Sequence, residues 1–99
     1  MSKKLKIVSV CGFGVGSSLI LKMTIDKVVK AHGIDAEVNP VDVTSVSDGI
    51  ADLVFTSNEI GGQMRDKVTC PVIVIDNFMD DKEVAAKGLD VIQEILATA

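Results

Sequence analysis

The chain has 99 residues, a net charge of −4, 47% hydrophobic and only 3% aromatic residues, with no Trp or Tyr. That length makes one domain, 1–99, around an aliphatic core. An acidic chain without a basic cluster is excluded as a nucleic-acid binder. Its longest apolar runs, such as 72–75, fall far short of the roughly 20 residues that cross a bilayer, which excludes direct membrane insertion.

Lys3 and Lys4 precede an apolar stretch at 5–10 that contains Lys6 and has no small-residue cleavage site, so no secretory leader is expected. Two cysteines, Cys11 and Cys70, then read as thiols in a reducing, cytoplasmic setting. The stretch 5–10 predicts a first strand with apolar residues on both faces. A helix over about 16–32 follows, ending at Gly33, a usual C-cap residue. A second strand at 36–43 contains Pro40, which donates no ladder hydrogen bond, so it belongs at a sheet edge. A short helix at 44–50 is expected after Thr44 or Ser45, then a third strand at 52–56. Gly61 and Gly62 argue for a short or mobile stretch thereafter. A fourth strand at 72–75 follows Pro71, and Asp80 or Asp81 caps a last helix to about Leu96.

Strands alternating with helices predict an open four-stranded parallel α/β sheet with right-handed crossovers and helices on both faces. Ligands of such sheets bind beyond the carboxyl ends of the strands. Cys11, Ser57, Asn58, Asp76 and Asn77 all follow strands and so gather at that edge.

Cys11 stands where the first apolar run stops and the glycines of "CGFGVGSS" begin. Gly12, Gly14 and Gly16 permit close approach of backbone to a ligand. The helix that follows directs unpaired N–H groups and the positive end of its dipole into this loop. Successive amides can form an anion nest, which lowers the pKa of a thiol within it and equally suits a phosphoryl group on sulfur. Ser17 and Ser18 add hydroxyl donors or cap the helix.

Several readings meet here. A dinucleotide fingerprint needs G-x-G-x-x-G, but position 17 is Ser, and the chain has no second nucleotide-binding half. A Walker A loop needs Gly-Lys-Ser/Thr, and the lysine is absent. Small cysteine-dependent phosphatases carry an arginine six residues after the cysteine, where this chain has Ser17. Without a bidentate guanidinium on the phosphoryl oxygens, hydrolysis loses a major source of stabilisation, and a loop that holds phosphate without hastening water suits a carrier. In the remaining reading Cys11 ends a core strand and the glycines form a tight turn. A phosphatase-like protein and a module that senses phosphorylation both stay open beside the carrier.

The stretch "VCGFGVGSSLILKM", Val10 to Met23, resembles the enzyme IIB component of the phosphoenolpyruvate-dependent sugar phosphotransferase system, most nearly its ascorbate type within the lactose, galactitol and mannitol-like group. The shared pattern is C-G-x-G-x-G-S-S with a following K-M pair, here Lys22 and Met23. "DLVFTSNEIGGQM" resembles that family's third strand and turn. The resemblance implies a phosphotransferase without a cofactor. Cys11 takes phosphate from a phosphohistidine on enzyme IIA and gives it to a sugar held by the membrane enzyme IIC. It also implies that Gly12, Phe13, Gly14, Val15, Gly16, Ser17 and Ser18 form the phosphate-binding loop.

Turned as a helix, 16–32 places Ile20, Leu21, Ile25, Val28 and Ala31 on a buried arc. Lys22, Asp26 and Lys30 fall on a solvated face with weak pairing. Leu19 and Met23 lie on that polar side near the loop and, with Phe13, make a candidate patch for docking a partner. Cys70 reads as a small, partly buried residue at the far edge from Cys11, and not its disulfide partner. His32 reads as a helix-end residue. Two cysteines and one widely spaced histidine match no metal site. Asp76 either caps a turn with Asn77 or, in a phosphatase, serves as general acid.

Overall fold

The computed structural model describes residues 5–11, 15–47, 49 and 51–98. Four parallel strands, β1 (Leu5–Cys11), β2 (Ala36–Asp42), β3 (Leu53–Thr56) and β4 (Val72–Val74), form one open sheet in the order β2-β1-β3-β4. There are three helices: α1 (Val15–Ala31) crosses from β1 to β2, α2 (Gly61–Lys67) crosses from β3 to β4, and α3 (Asp81–Thr98) follows the last strand.

Strand alternation divides the core in two. Leu5, Ile7, Leu53, Phe55, Ile73 and Ile75 face α1 and α3, where Leu21, Ile25, Val28, Val29, Val84 and Ile92 close over them. Val8, Val10 and Val54 face the other way and pack with Ile60, Met64 and Val68 around α2. The two inner strands are thus apolar on both faces, as a sheet covered on both sides requires.

Local sequence explains most boundaries. α1 ends in a Schellman motif: Ile34 N–H donates to Val29 O at 2.8 Å and Gly33 N–H to Lys30 O at 3.2 Å, with Gly33 at φ 68°. His32 sits exposed in this cap, the helix-end place expected of it. Pro40 lies in an edge strand, as expected. Asp35 O accepts from Leu5 N–H, so alternate residues from Asp35 onward face β1, and Pro40, out of phase with them, faces outward. Asp80 caps α3, its Oδ1 accepting from the N–H groups of Lys82 at 3.0 Å and Glu83 at 3.3 Å.

Three expectations need correction. The short helix expected at 44–50 is only a 3-10 turn, Val43–Ser45. Val46 turns into the core and Gly49 takes φ 87°, which no right-handed helix accommodates. The stretch after β3 is short, as expected, but forms a defined two-turn helix, α2. Gly61 promotes it here, because a Cβ at that position would stand 2.7 Å from Val74 Cγ2. Close seating on the sheet, with Met64 fully buried, overrides the weak helix propensity of the glycine pair. Finally, Ile20 and Ala31 are exposed, and the buried stripe of α1 is Leu21, Thr24, Ile25, Val28 and Val29. This stripe follows i, i+3/i+4, i+7/i+8 from Leu21, and Ile20 lies about 100° around the helix from Leu21, outside the stripe's edge at Thr24.

Candidate functional site

The carboxyl ends of the strands lie on one edge. Cys11 is the last residue of β1 and stands in register with Asp42, the last of β2. α1 begins at Val15, so three residues separate the strand from a helix of 17 residues. Gly12, Phe13 and Gly14 lie outside the described residues. Val15, Gly16, Ser17 and Ser18 form the first turn of α1, one residue earlier than the sequence suggested. The amides at the start of a helix have no intrahelical carbonyl to bond, and in α1 these include those of Val15, Gly16 and Ser17. Their side chains, like that of Cys11, lie outside the described part of the structure.

Beside Cys11 the edge is tightly bonded. Val10 pairs in register with Thr56, and the Thr56 hydroxyl donates to Val10 O at 3.0 Å, with both residues fully buried. On the β2 side, the Thr44 hydroxyl donates to Asp42 Oδ1 at 2.8 Å. Ser57 is half-buried and accepts Ile60 N–H through its carbonyl, while Asn58 is exposed.

The turn after β4 is held from two sides. The Glu83 carboxylate accepts the N–H groups of Asp76 at 2.8 Å and Asn77 at 2.9 Å. Lys87 Nζ lies 2.6 Å from Glu83 Oε2, 3.1 Å from Val74 O and 3.6 Å from Asp76 Oδ2. Partial burial pushes the Glu83 carboxyl up, but the Asp76 amide, the Lys87 ammonium and the Asn77 amide outweigh it and bring the pKa from 4.5 to about 2. The same ion pair raises the pKa of Lys87. Asn77 Oδ1 accepts Met79 N–H at 3.0 Å in an Asx turn. From the other side, the buried Thr24 of α1 places its hydroxyl 2.5 Å from Phe78 O and 3.1 Å from Ile20 O. Asp76 is thus a turn residue paired with Lys87, its side chain 70% exposed.

Of the candidate docking residues, Leu19 is 47% and Met23 63% exposed on α1. Met23 lines a groove of about 390 Å³ with Ile20, Thr24, Lys27, Met79 and Asp81. An ion pair of 3.3 Å between Lys27 and Asp81 borders it. Ile20, read from the sequence as core, and Met79, unremarked there, are therefore parts of this apolar surface. Lys22 and Asp26 pair at 2.5 Å with side chains only 29% and 25% exposed, so they are more covered than a solvated face suggests.

Cys70 is half-buried before β4 and packs on the α2 side of the core. By register Cys11 is level with about Ile75, so Cys70 lies five residues down and two strands across, roughly 17 Å away along the strand direction alone. A disulfide needs Cα atoms within about 7 Å. Among the described residues no group of three or more His, Cys, Asp or Glu side chains gathers for a metal ion, and no helix is long and apolar enough to cross a membrane.

Two solved structures share this fold. The chain aligns over 96% of its length and 97% of the lactose-specific IIB component domain of the phosphotransferase system from Streptococcus pneumoniae, at a TM-score of 0.59 and 16% identity. It aligns over 99% of its length with 97% of an Enzyme IIB subunit from Escherichia coli K12, at a TM-score of 0.52 and 17% identity. In sequence it is 32% identical over 91 residues to the ascorbate-specific PTS system EIIB component of Escherichia coli O157:H7, covering 90% of each chain. It is 26% identical to the component of the same name from Mycoplasma pneumoniae, covering 84% of this chain and 90% of that one. The family described as PTS system, Lactose/Cellobiose specific IIB subunit, matches residues 6–88, which span the sheet from the second residue of β1, α1, α2 and the first eight residues of α3. With the parallel sheet, the cysteine at the end of its first strand and the helix that starts four residues on, the chain belongs to the IIB family of phosphoryl-transfer subunits of the sugar phosphotransferase system.

Proposed function

We propose that Cys11 carries the phosphoryl group. In the first step the thiolate attacks the phosphorus of a phosphohistidine on enzyme IIA. The S–P bond forms, the P–N bond breaks, and the imidazole departs with its electron pair. In the second step a hydroxyl of a sugar held by the membrane enzyme IIC attacks the phosphocysteine. The O–P bond forms, the thiolate leaves, and the hydroxyl proton passes to a base on the sugar-binding side. The observation that carries this reading is the position of Cys11, at the carboxyl end of an inner strand and separated by three residues from a 17-residue helix that begins at Val15. Amides of Gly12, Phe13, Gly14, Val15, Gly16, Ser17 and Ser18 stabilise first the thiolate and then the phosphoryl oxygens. Phosphoryl transfer asks little else of the protein, since positioning and charge stabilisation do most of the work.

The partners follow from the chemistry: enzyme IIA as donor and enzyme IIC as acceptor, met at the cytoplasmic membrane face. The ascorbate-specific relatives support an ascorbate-type pair of partners. Docking uses Phe13, Leu19 and Met23, and the groove adds Ile20 and Met79 to that surface. The test is mass spectrometry after incubation with phosphorylated enzyme IIA. One phosphate on the wild type and none on Cys11→Ser is the expected result, because a serine hydroxyl is not ionised at neutral pH. Phosphate on the Cys11→Ser variant, or on neither protein, rejects the assignment.

A further inference from the structure

We propose that Thr56 is a positioning residue for Cys11, its hydroxyl fixing the peptide that joins Val10 to the nucleophile; the proposal rests on the phosphocysteine reading above. Val10 and Thr56 form the last register pair between β1 and β3, after which both strands end within a residue. There the side chain supplies a rung of its own, the hydroxyl donating to Val10 O at 3.0 Å across 46 residues of sequence. Both residues are fully buried, so no bulk water replaces this bond when the hydroxyl is removed. Thr56 O also accepts Ile75 N–H at 2.9 Å. One residue therefore ties β1, β3 and β4 together at the carboxyl edge.

The neighbours on that sheet face are Val8, Val10 and Val54, and a valine would fill the Thr56 site with nearly the same shape. The hydroxyl thus supplies direction and not volume. The Val10 carbonyl belongs to the same rigid peptide plane as the Cys11 amide. Holding it sets where the Cys11 Cα–Cβ bond points and where the glycine loop begins. In-line transfer is sensitive to displacements of about 1 Å, which cost up to about a hundredfold in rate. A thiolate stabilised by main-chain amides loses that stabilisation as the distances lengthen.

The experiment uses the full chain as wild type, Thr56→Val and Thr56→Ser. Two quantities are read: the single-turnover rate of phosphoryl uptake from phosphorylated enzyme IIA, and the pH profile of iodoacetamide alkylation at the Cys11 peptide, followed by mass spectrometry. Thr56→Val is expected to slow uptake about tenfold and to move the alkylation midpoint upward, with Thr56→Ser within about twofold of wild type. Should the valine variant not fold, Thr56→Ala reads the same two quantities. Wild-type behaviour of the hydroxyl-less variant in both assays overturns the proposal. So does a serine variant slowed as much as the valine, because the loss then comes from packing. If alkylation shifts as expected while the wild type takes up no phosphate on Cys11, the positioning role stands and the carrier reading fails.

Discussion

Gly62 and Gly88 both sit inside helices with ordinary negative φ, yet alanine at the two positions is expected to move stability in opposite directions. A glycine in a helix normally costs about 0.5–1 kcal/mol relative to alanine. At Gly62 a Cβ would meet nothing within 4 Å, so Gly62→Ala keeps that gain. At Gly88 the added carbon would stand 2.7 Å from Cζ and 3.1 Å from Cε2 of Phe55, and 3.8 Å from Ile73 Cδ1. The Phe55 ring is fully buried between α3 and the sheet and has nowhere to swing. Overpacking of this kind costs about 1–3 kcal/mol, so the net loss after the helix gain is about 1 kcal/mol. In a domain of this size 1 kcal/mol moves the melting midpoint by about 4–8 °C. Thermal unfolding followed by circular dichroism should show Gly62→Ala melting a few degrees above wild type and Gly88→Ala about 5 °C below it. If Gly88→Ala melts higher than wild type, α3 rides freely over Phe55 and the close seating of that helix is not a constraint.

Two further outcomes are expected. The folded-state pKa of Glu83, about 2, lies below its ordinary 4.5, so its contribution is complete above about pH 4.5 and disappears as pH falls through 2. The contribution is about 2 kcal/mol once solvent screening is allowed for. Glu83→Gln should therefore lower the melting point at neutral pH and flatten the wild type's loss of stability between pH 4.5 and 2; equal acid sensitivity in both proteins counts against the clamp. Met23→Asp, at a 63% exposed side chain, should leave unfolding within about 0.5 kcal/mol of wild type but slow phosphoryl uptake from enzyme IIA, and an unchanged uptake rate removes Met23 from the docking surface.

The parts of this molecule that sequence anticipates are those governed by neighbouring residues. Pro40 marks an edge strand because it lacks an N–H, Gly33 marks a helix end because it accepts φ 68°, and Asp80 marks a start because its carboxylate reaches the next amides. What escaped depends on contacts between distant segments. The helix α2 forms where a glycine pair argued against it, since the close approach of Gly61 to Val74 is a fact of tertiary packing. Helical periodicity alone puts Ile20 on the buried arc of α1, and only the placement of α3 and Met79 decides which side is covered. The Thr56 rung and the Glu83 clamp span strand ends or a turn, with no periodicity to announce them. Cys11 itself was readable, because an abrupt change from apolar to glycine-rich sequence marks the end of a strand.

Both lateral borders of the sheet are poor templates for another strand. On one side Pro40 faces outward without a donor, and on the other the outward carbonyl of Val74 is already taken by Lys87 across a β4 only three residues long. Any ladder formed edge to edge with a neighbouring chain would hold the two together. Blunted borders work against such strand pairing with another chain on either side of the sheet.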